Sequence, residues 1–521
     1  MKSLKLSVIA ALMFTLGACK SAEEYVEIPA EVMDDKVKGA WAGKMIGVMY
    51  GRPMEFVSNS DIYRDSIKWD PKNIEAALLE DDIYGQLNFM KTMELYGQDV
   101  SIDSLAKNFA YAEFALCHAN LQARKNYFDG IPAEELSYPE NSIHCEDIDF
   151  QIECDFIGFV NPCMPQSSNK MCEKVGAIMS AADGMYAGMF VSAMHTLAYE
   201  KDDPKEIVLA ALNAIPAESG YAQCVKDVVA CYENDPEDWK AAWDFMAGKW
   251  APYDICTPYL PFNIDAKLNG AYVVMGLLYG HRDWAKTMEI TIRCGQDTDC
   301  NTATAAAVLG IIDGYEAIPD IYKSYLPEIA DRCFSHTDYS YNKAVSQTLE
   351  FIKENVEKNG GSVADQIYRI KRQPVLPAEY VKGFAGLEIA ELVPVTETDR
   401  WTMVGRWENF VYGDGDDAPY KVATMPGDSI ALEFEGSGIA ILGSWNTDGG
   451  RAEVSIDGKP VKIIDTYYVA EAGKYEGNRA YLFYILDLPE GKHTFSMVNS
   501  AENNGKSTAH KLYVEKALIY K

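Results

Sequence analysis

The chain has 521 residues, 48% of them hydrophobic, with 78 acidic against 47 basic residues and a formal charge of −31. At about 150 residues per domain this length makes two to four domains, and a hydrophobic fraction near one half excludes disorder and collagen-like repeats. The acidic balance argues against nucleic acid as a partner, because neutralising phosphates takes Lys and Arg; it suits cation binding as well as plain solubility.

Lys2 and Lys5 precede an apolar run over residues 6–16, too short to span a bilayer and fitting the core of a signal peptide. The run ends in Leu16-Gly17-Ala18-Cys19, which resembles a bacterial lipobox. The expectation is a leader over 1–19 and a lipidated Cys19. The protein is then an exported lipoprotein, periplasmic or on the outer membrane or cell surface. No later stretch reaches 18 uninterrupted apolar residues, so the lipid is the expected membrane attachment. Beyond Cys19 eleven cysteines remain, an odd number that cannot pair completely. Cys145, Cys154, Cys163 and Cys172 recur every nine residues, but no CxxC or Cys/His finger spacing occurs. They read as small buried residues with one or two disulfides at most, and no structural zinc site is expected.

Residues 30–358 read as an all-α domain. Asp203-Pro204 and Asp235-Pro236 each set a capping acid before a first-turn proline, and Ile83, Leu87 and Met90 recur at helical spacing. Asn359-Gly360-Gly361-Ser362, Pro374 and Pro377 break the pattern, so residues 359–395 read as a linker. From 396 to 521 the period is two. Ile430, Leu432 and Phe434 alternate with Ser429, Ala431 and Glu433, and Ala452, Val454 and Ile456 lead into an Asp457-Gly458 hairpin turn. This predicts a β-sandwich. Its stretches GDSIALEFEGSGIAILG, VSIDGK and LPEGKHTF resemble galactose-binding-like jelly-roll modules. Trp401, Trp407, Trp445 and Tyr467 suit either stacking on a sugar ring or core packing.

Three segments of the helical half carry chemistry. In GAWAGKMIGVMYGRPMEF, residues 39–56, Gly39, Gly43, Gly47 and Gly51 form a smooth stripe along one helix. Each interior glycine costs about 1 kcal/mol relative to alanine, so the stripe predicts another backbone packed very closely. Gly51 suits a C′ position, Pro53 prevents continuation, and Glu55 follows on a rigid turn. Glu80-Asp81-Asp82 reads as three adjacent carboxylates inside a helix. Their spacing of about 100° per residue stops all three from meeting one ion; Asp81 and Asp82 either serve neighbouring ions or act one directly and one through water. In CGQDTDCNTATAAAVLGIIDG, residues 294–314, Asp297 and Asp299 open a helix of small residues, normally a central one. Two buried carboxylates repel and are pushed towards protonation unless a cation compensates. Oxygen ligands without a His or Cys cluster favour Mg²⁺ or Mn²⁺ over zinc.

A Gly-rich helix ending in G-x-P-x-E, paired aspartates, and DTD opening an Ala-rich helix together resemble the ADP-ribosylglycohydrolase family over about residues 33–355. The resemblance implies an all-α fold around two Mg²⁺ ions, or Mn²⁺, and hydrolysis at the anomeric carbon of an ADP-ribose unit. Asp81, Asp82, Asp297 and Asp299 match its metal ligands, and Glu55 matches the glutamate acting at the scissile bond in some members. The chain departs from the pattern at several positions. Glu80 replaces a Thr and can still ligate a hard cation, Cys300 replaces a Thr and is a poor Mg²⁺ ligand, and Val48 stands where Asp is frequent. Asp183-Gly184 replaces a His-bearing helix start, making Asp183 an additional acid toward substrate or metal. These changes and the exported location widen the expected substrate to extracellular glycans or nucleosides. A non-catalytic carbohydrate-binding lipoprotein is the competing class. The expected state is a monomer acting on a small molecule or glycan.

Overall fold

The computed structural model describes residues 24–384, 386–411, 419–469 and 478–521. They form a helical unit running to residue 383 and a sheet unit from 384 to 521, with residues 113–116 grouped with the second. The expected leader and Cys19 lie outside the described residues. No described helix is long and apolar enough to cross a membrane.

After a strand, β1 (Tyr25–Pro29), the helical unit runs through α1 (Ala30–Gly51), α2 (Asp81–Tyr96), α3 (His118–Phe128), α4 (Asp149–Glu153) and α5 (Asp155–Phe159). It continues through α6 (Ala182–Ala198), α7 (Ala266–Tyr279), α8 (Thr298–Asp313) and α9 (Tyr341–Lys358), with further helices between these. Asp203 caps the helix begun by Pro204, accepting from Lys205 N, as its sequence predicts. Asp235 does not cap; the next helix starts at Trp239 under Asp238, whose side chain accepts from Ala241 N. Asp235 instead accepts from Glu237 N at 3.0 Å, in a turn ahead of that helix.

The glycine stripe finds its backbone partner in α8. A Cβ on Gly39, Gly43, Gly47 or Gly51 would come closer than 3.0 Å to backbone of Gly310, Ala306, Thr302 or Thr298 respectively. The two helices thus lie antiparallel, backbone against backbone, and α8 is buried from Thr298 to Ile312. Small residues on both faces are what permit this approach.

The expected linker is not irregular throughout. Strands β2 (Ser362–Ala364) and β3 (Ile367–Lys371) join β1 in a three-stranded antiparallel sheet, with Ile28 opposite Tyr368. A strand within the same stretch, β4 (Ile389–Pro394), belongs to the sheet unit, so that unit begins before residue 396. Local turn residues hid these pairings, because the partners of β3 and β4 lie far away in sequence.

The sheet unit continues with β5 (Trp401–Val404), β6 (Trp407–Phe410), β7 (Tyr420–Ala423), β8 (Ser429–Gly436), β9 (Gly438–Trp445), β10 (Arg451–Ile456) and β11 (Lys459–Asp465). It ends with β12 (Asn478–Ile485), β13 (Gly491–Asn499) and β14 (Leu512–Tyr520). One sheet has the order β11-β10-β13-β8-β5; the other has β12-β9-β14-β7-β6, with β4 also on β14. All pairings are antiparallel, consistent with a β-sandwich. Ile430, Leu432 and Phe434 point inward as their period requires. Asp457 and Gly458 both take positive φ, 52° and 72°, as a two-residue type I′ hairpin demands. Trp401 and Trp445 are buried core residues and cannot stack on a sugar; Trp407 and Tyr467 are half-buried. All eleven described cysteines are free thiols, so the expected one or two disulfides do not form among them.

Candidate metal centre

The close α1–α8 packing sets the site. Gly51 is the last residue of α1 with φ −81°, so it serves close approach rather than a left-handed cap, and the chain continues through a 3₁₀ turn, Arg52–Met54. Thr298 Oγ1 donates to Gly51 O at 2.9 Å, and Phe56 N donates to Gln296 O at 3.0 Å. These two bonds hold Glu55 beside the start of α8. Phe56 takes φ 53° to make the turn, uncommon for a bulky residue. The Glu80-Asp81-Asp82 segment differs from expectation. Residues 71–79 are 3₁₀, Glu80 has extended ψ 133°, and α2 starts at Asp81, so the three carboxylates open a helix rather than interrupt one. Negative charge is favoured at such an end.

Two triads of ligand atoms result, each lying within 4.8 Å of one another: Glu55, Asp297 and Asp299, and Asp82, Asp299 and Cys300. Asp299 belongs to both. Asp82, Asp297 and Asp299 are buried, while Glu55 is half-buried with 33% of its side chain exposed. Cys300 Sγ donates to Asp82 Oδ1 at 3.3 Å. Glu80 and Asp81 stand outside the triads. Glu80 accepts from Arg52 Nη1, and Arg52 Nε also lies 3.4 Å from Glu55. Asp81 is exposed, and its charge reaches Glu55, Glu80 and Asp82.

Burial, followed by the neighbouring Asp299 charge, pushes Glu55 up to about 7 against the pull of Arg52. Burial likewise pushes Asp297 up to about 7. Asp299 and Asp82 are driven well above the carboxylate range by burial first, then by Asp297 on Asp299 and by Asp299 on Asp82; Lys44 opposes the rise at Asp82. Such a group of acids wants a divalent cation, which reverses this logic. The donors fit one. Asp297 Oδ1 is buried and has no hydrogen-bond partner among the described residues, and five of the six triad places offer carboxylate oxygen, the donor preferred by Mg²⁺ and Mn²⁺.

Residues 29–347 match the family model for ADP-ribosylglycohydrolase. The chain belongs to that family. Among solved structures it is similar to an ADP-ribosylglycohydrolase-related protein complex, at 14% identity and TM-score 0.43, covering 62% of this chain and 99% of that one. It is also similar to a two-domain esterase active on acetylated mannans, co-crystallized with mannopentaose, at 15% identity and TM-score 0.21, covering 38% of this chain and 52% of that one. A third is the CBM36-1 domain of a multidomain xylanase from the hindgut metagenome of Trinervitermes trinervoides, at 15% identity and TM-score 0.18, covering 25% of this chain and 94% of that one. No curated protein matches the chain. Membership makes the helical unit a hydrolase of the ADP-ribosylglycohydrolase type.

Asp183 takes a different place from the triads. At the start of α6 its Oδ1 accepts from Tyr221 N at 3.0 Å and its Oδ2 lies 3.6 Å from Lys267 Nζ. That lysine also pairs with Asp265 at 2.8 Å and Glu146 at 3.5 Å, so Asp183 is one wall of a buried ion cluster. Several residues escaped the sequence reading. Lys44, fully buried on α1, donates to Asp155 Oδ2 at 2.5 Å and to Ile152 O at 2.8 Å. Its burial would lower its pKa, but the Asp155 and Asp82 carboxylates outweigh that and raise it. A lone lysine between Gly43 and Met45 in an apolar run was the available signal. Arg52 and Glu153 had none. Glu153 occupies space left by Gly85, accepts from Asn120 Nδ2 at 2.9 Å, and keeps a buried Oε2 without a partner.

Proposed function

We propose that this hydrolase cleaves an N- or O-glycosidic bond at the anomeric carbon of an ADP-ribose-like or other sugar substrate, in an exported lipoprotein anchored through Cys19. The observation that carries the reading is the pair of triads sharing Asp299 beside Glu55. Asp297, Asp299 and Asp82 would hold two Mg²⁺ or Mn²⁺ ions, which when bound supply Lewis-acid stabilisation of developing charge and orient sugar hydroxyls and water. Glu55 is the proton-transfer group. It is partly open to solvent and sits beside the buried carboxylates, where a proton-transfer group can reach a bound sugar or water. Arg52 fixes its direction by bridging it to Glu80. Phe56, stacked on Phe262 at 4.1 Å between ring centroids, gives the glutamate an apolar neighbour.

Glycans and nucleosides gain weight over a pyrophosphate-bearing substrate from the local charges. The cations whose fields reach the cluster, Arg52 and Lys44, are both committed to carboxylates, leaving neither to meet a second anion. The test is hydrolysis of ADP-ribosyl-arginine and ADP-ribosyl-serine peptides against a glycan and nucleoside panel, with and without Mg²⁺. Metal-dependent sugar release that falls about 10²–10⁴-fold in Glu55→Gln, with Mg²⁺ affinity retained, is expected. Turnover unchanged by that substitution refutes the role of Glu55.

A further inference from the structure

Next to the carboxylate centre lies a second group of donors with different chemistry. His118 opens α3; His144 and Asp147 sit in the turn before α4; Cys256 sits in the loop before α7. One ligand atom from each of His118, His144 and Asp147 lies within 4.8 Å of the others. His144 Nδ1 is 2.6 Å from Asp147 Oδ2, and Cys256 Sγ donates to the other oxygen, Asp147 Oδ1. His144, Asp147 and Cys256 are each at least nine-tenths buried. The imidazole of His118 has ring contacts with His144 and Phe262 and no hydrogen-bond partner among the described residues. It is presented by a backbone at φ 47°, in the left-handed region that non-glycine residues uncommonly adopt, His more readily than most. Asp149, whose charge reaches His144, keeps a buried Oδ2 without a hydrogen-bond partner among the described residues.

We propose that His118, His144 and Asp147 form a second metal site, taking a zinc-class divalent ion. Two imidazoles and a carboxylate are the three protein donors of a zinc site that keeps its fourth position open; Cys256 lies outside this set, bonded to the other Asp147 oxygen. The two nitrogen donors select against Mg²⁺, which the carboxylate-rich centre prefers. The two sites therefore sort cations by ligand chemistry. The ion ties two segments that are distant in sequence. One of them leads through Ile148, which packs with Ile264 against Cys300 of the carboxylate centre, and His118 touches Phe262, the partner of Phe56. The role is to brace the wall beside Glu55. No sequence spacing announces it, because 26 residues separate His118 from His144.

The experiment strips the full-length protein with chelator and titrates Co²⁺ in excess Mg²⁺, which occupies the carboxylate centre. One equivalent of Co²⁺ should bind with intense tetrahedral d–d bands. His144→Asn should lose those bands, whereas Cys300→Ser should keep them. His118→Asn, which preserves the left-handed preference, should weaken Co²⁺ binding by at least about 10-fold, the low end for losing even an outer partner of a metal site. Circular dichroism of each variant establishes that it is folded. A weak octahedral spectrum, bands surviving His144→Asn, bands lost only in Cys300→Ser, or unchanged affinity in His118→Asn overturns the proposal.

Discussion

Gly47→Ala separates two physical effects of opposite sign. In an isolated helix the alanine would stabilise by about 1 kcal/mol. Here the new Cβ would lie 2.6 Å from Ala303 Cα and 2.7 Å from Thr302 C, both backbone atoms of α8 that no rotamer change can move. Overpacking typically costs about 1–3 kcal/mol, with rigid neighbours at the upper end, so the net expectation is a loss of about 2 kcal/mol. Gly248→Ala supplies the internal control. Gly248 also sits inside a helix, Trp239–Trp250, and a Cβ there meets nothing within 4 Å. It should gain about 0.5–1 kcal/mol. Urea unfolding followed by helical circular dichroism reads both. Because α1 and α8 carry Glu55 and Asp299 on adjoining ends, Gly47→Ala should also weaken Mg²⁺ binding. If Gly47→Ala stabilises as Gly248→Ala does, the two helices do not touch through the stripe and the basis of the centre fails.

Saturating Mg²⁺ at 100 times its Kd should stabilise the protein by about 2.7 kcal/mol. Asp299→Asn, which touches both triads, should abolish that response in a thermal titration, and Asp183→Asn, held on Lys267, should keep it; the reverse pattern would refute the ligand assignment. Lys44→Met leaves the fully buried Asp155 unpaired and should cost about 3–5 kcal/mol, largely recovered in the Lys44→Met/Asp155→Leu double variant, as a double-mutant cycle would measure. His195 faces Asp155 at 3.6 Å, with Lys44 beyond it, and burial pushes its pKa down to about 4 from 6.5. The depressed folded value means that stability is fully present above pH 6.5 and is lost as pH falls through 4. The total is about 3 kcal/mol at 1.36 kcal/mol per unit. Urea unfolding of wild type and His195→Asn should converge by about that amount between pH 7.5 and 4, and a pH-independent difference would refute it.

The glycine period was legible because its physics is local: repeated helix-interior glycine is costly unless a backbone replaces the missing side chains. The same is true of the Asp457-Gly458 hairpin, where the two residues themselves fix the turn. Legibility ended where a local pattern admits two structures. Asn73 to Leu79 has the composition of a helix, yet it forms a 3₁₀ run that breaks at Glu80, turning an apparent mid-helix cluster into a helix start. Gly51 carries the sequence signs of a cap but is needed as empty space against Thr298. The strands of residues 362–371 were hidden for a related reason, since their register is set by residues 25–29.

The carboxylates divided along the same line. Asp297, Asp299 and Glu55 lie within a few residues of the α1–α8 contact, so packing that the sequence announces also assembles them. Asp82 arrives on a separate helix. Its placement is coupled to Lys44, which projects from the interior of α1 and is visible in sequence only as a charge among apolar neighbours. The lysine partly offsets the desolvation of Asp82 while remaining bonded to Asp155, so one cation supports two acids that no motif links. A site of this kind is specified by mutual electrostatic necessity, and the residues that satisfy it can sit anywhere the fold brings them. That is why the ligands could be named from a short pattern, whereas Arg52, Lys44 and Asp155, which make those ligands tolerable in a buried place, became apparent only in three dimensions.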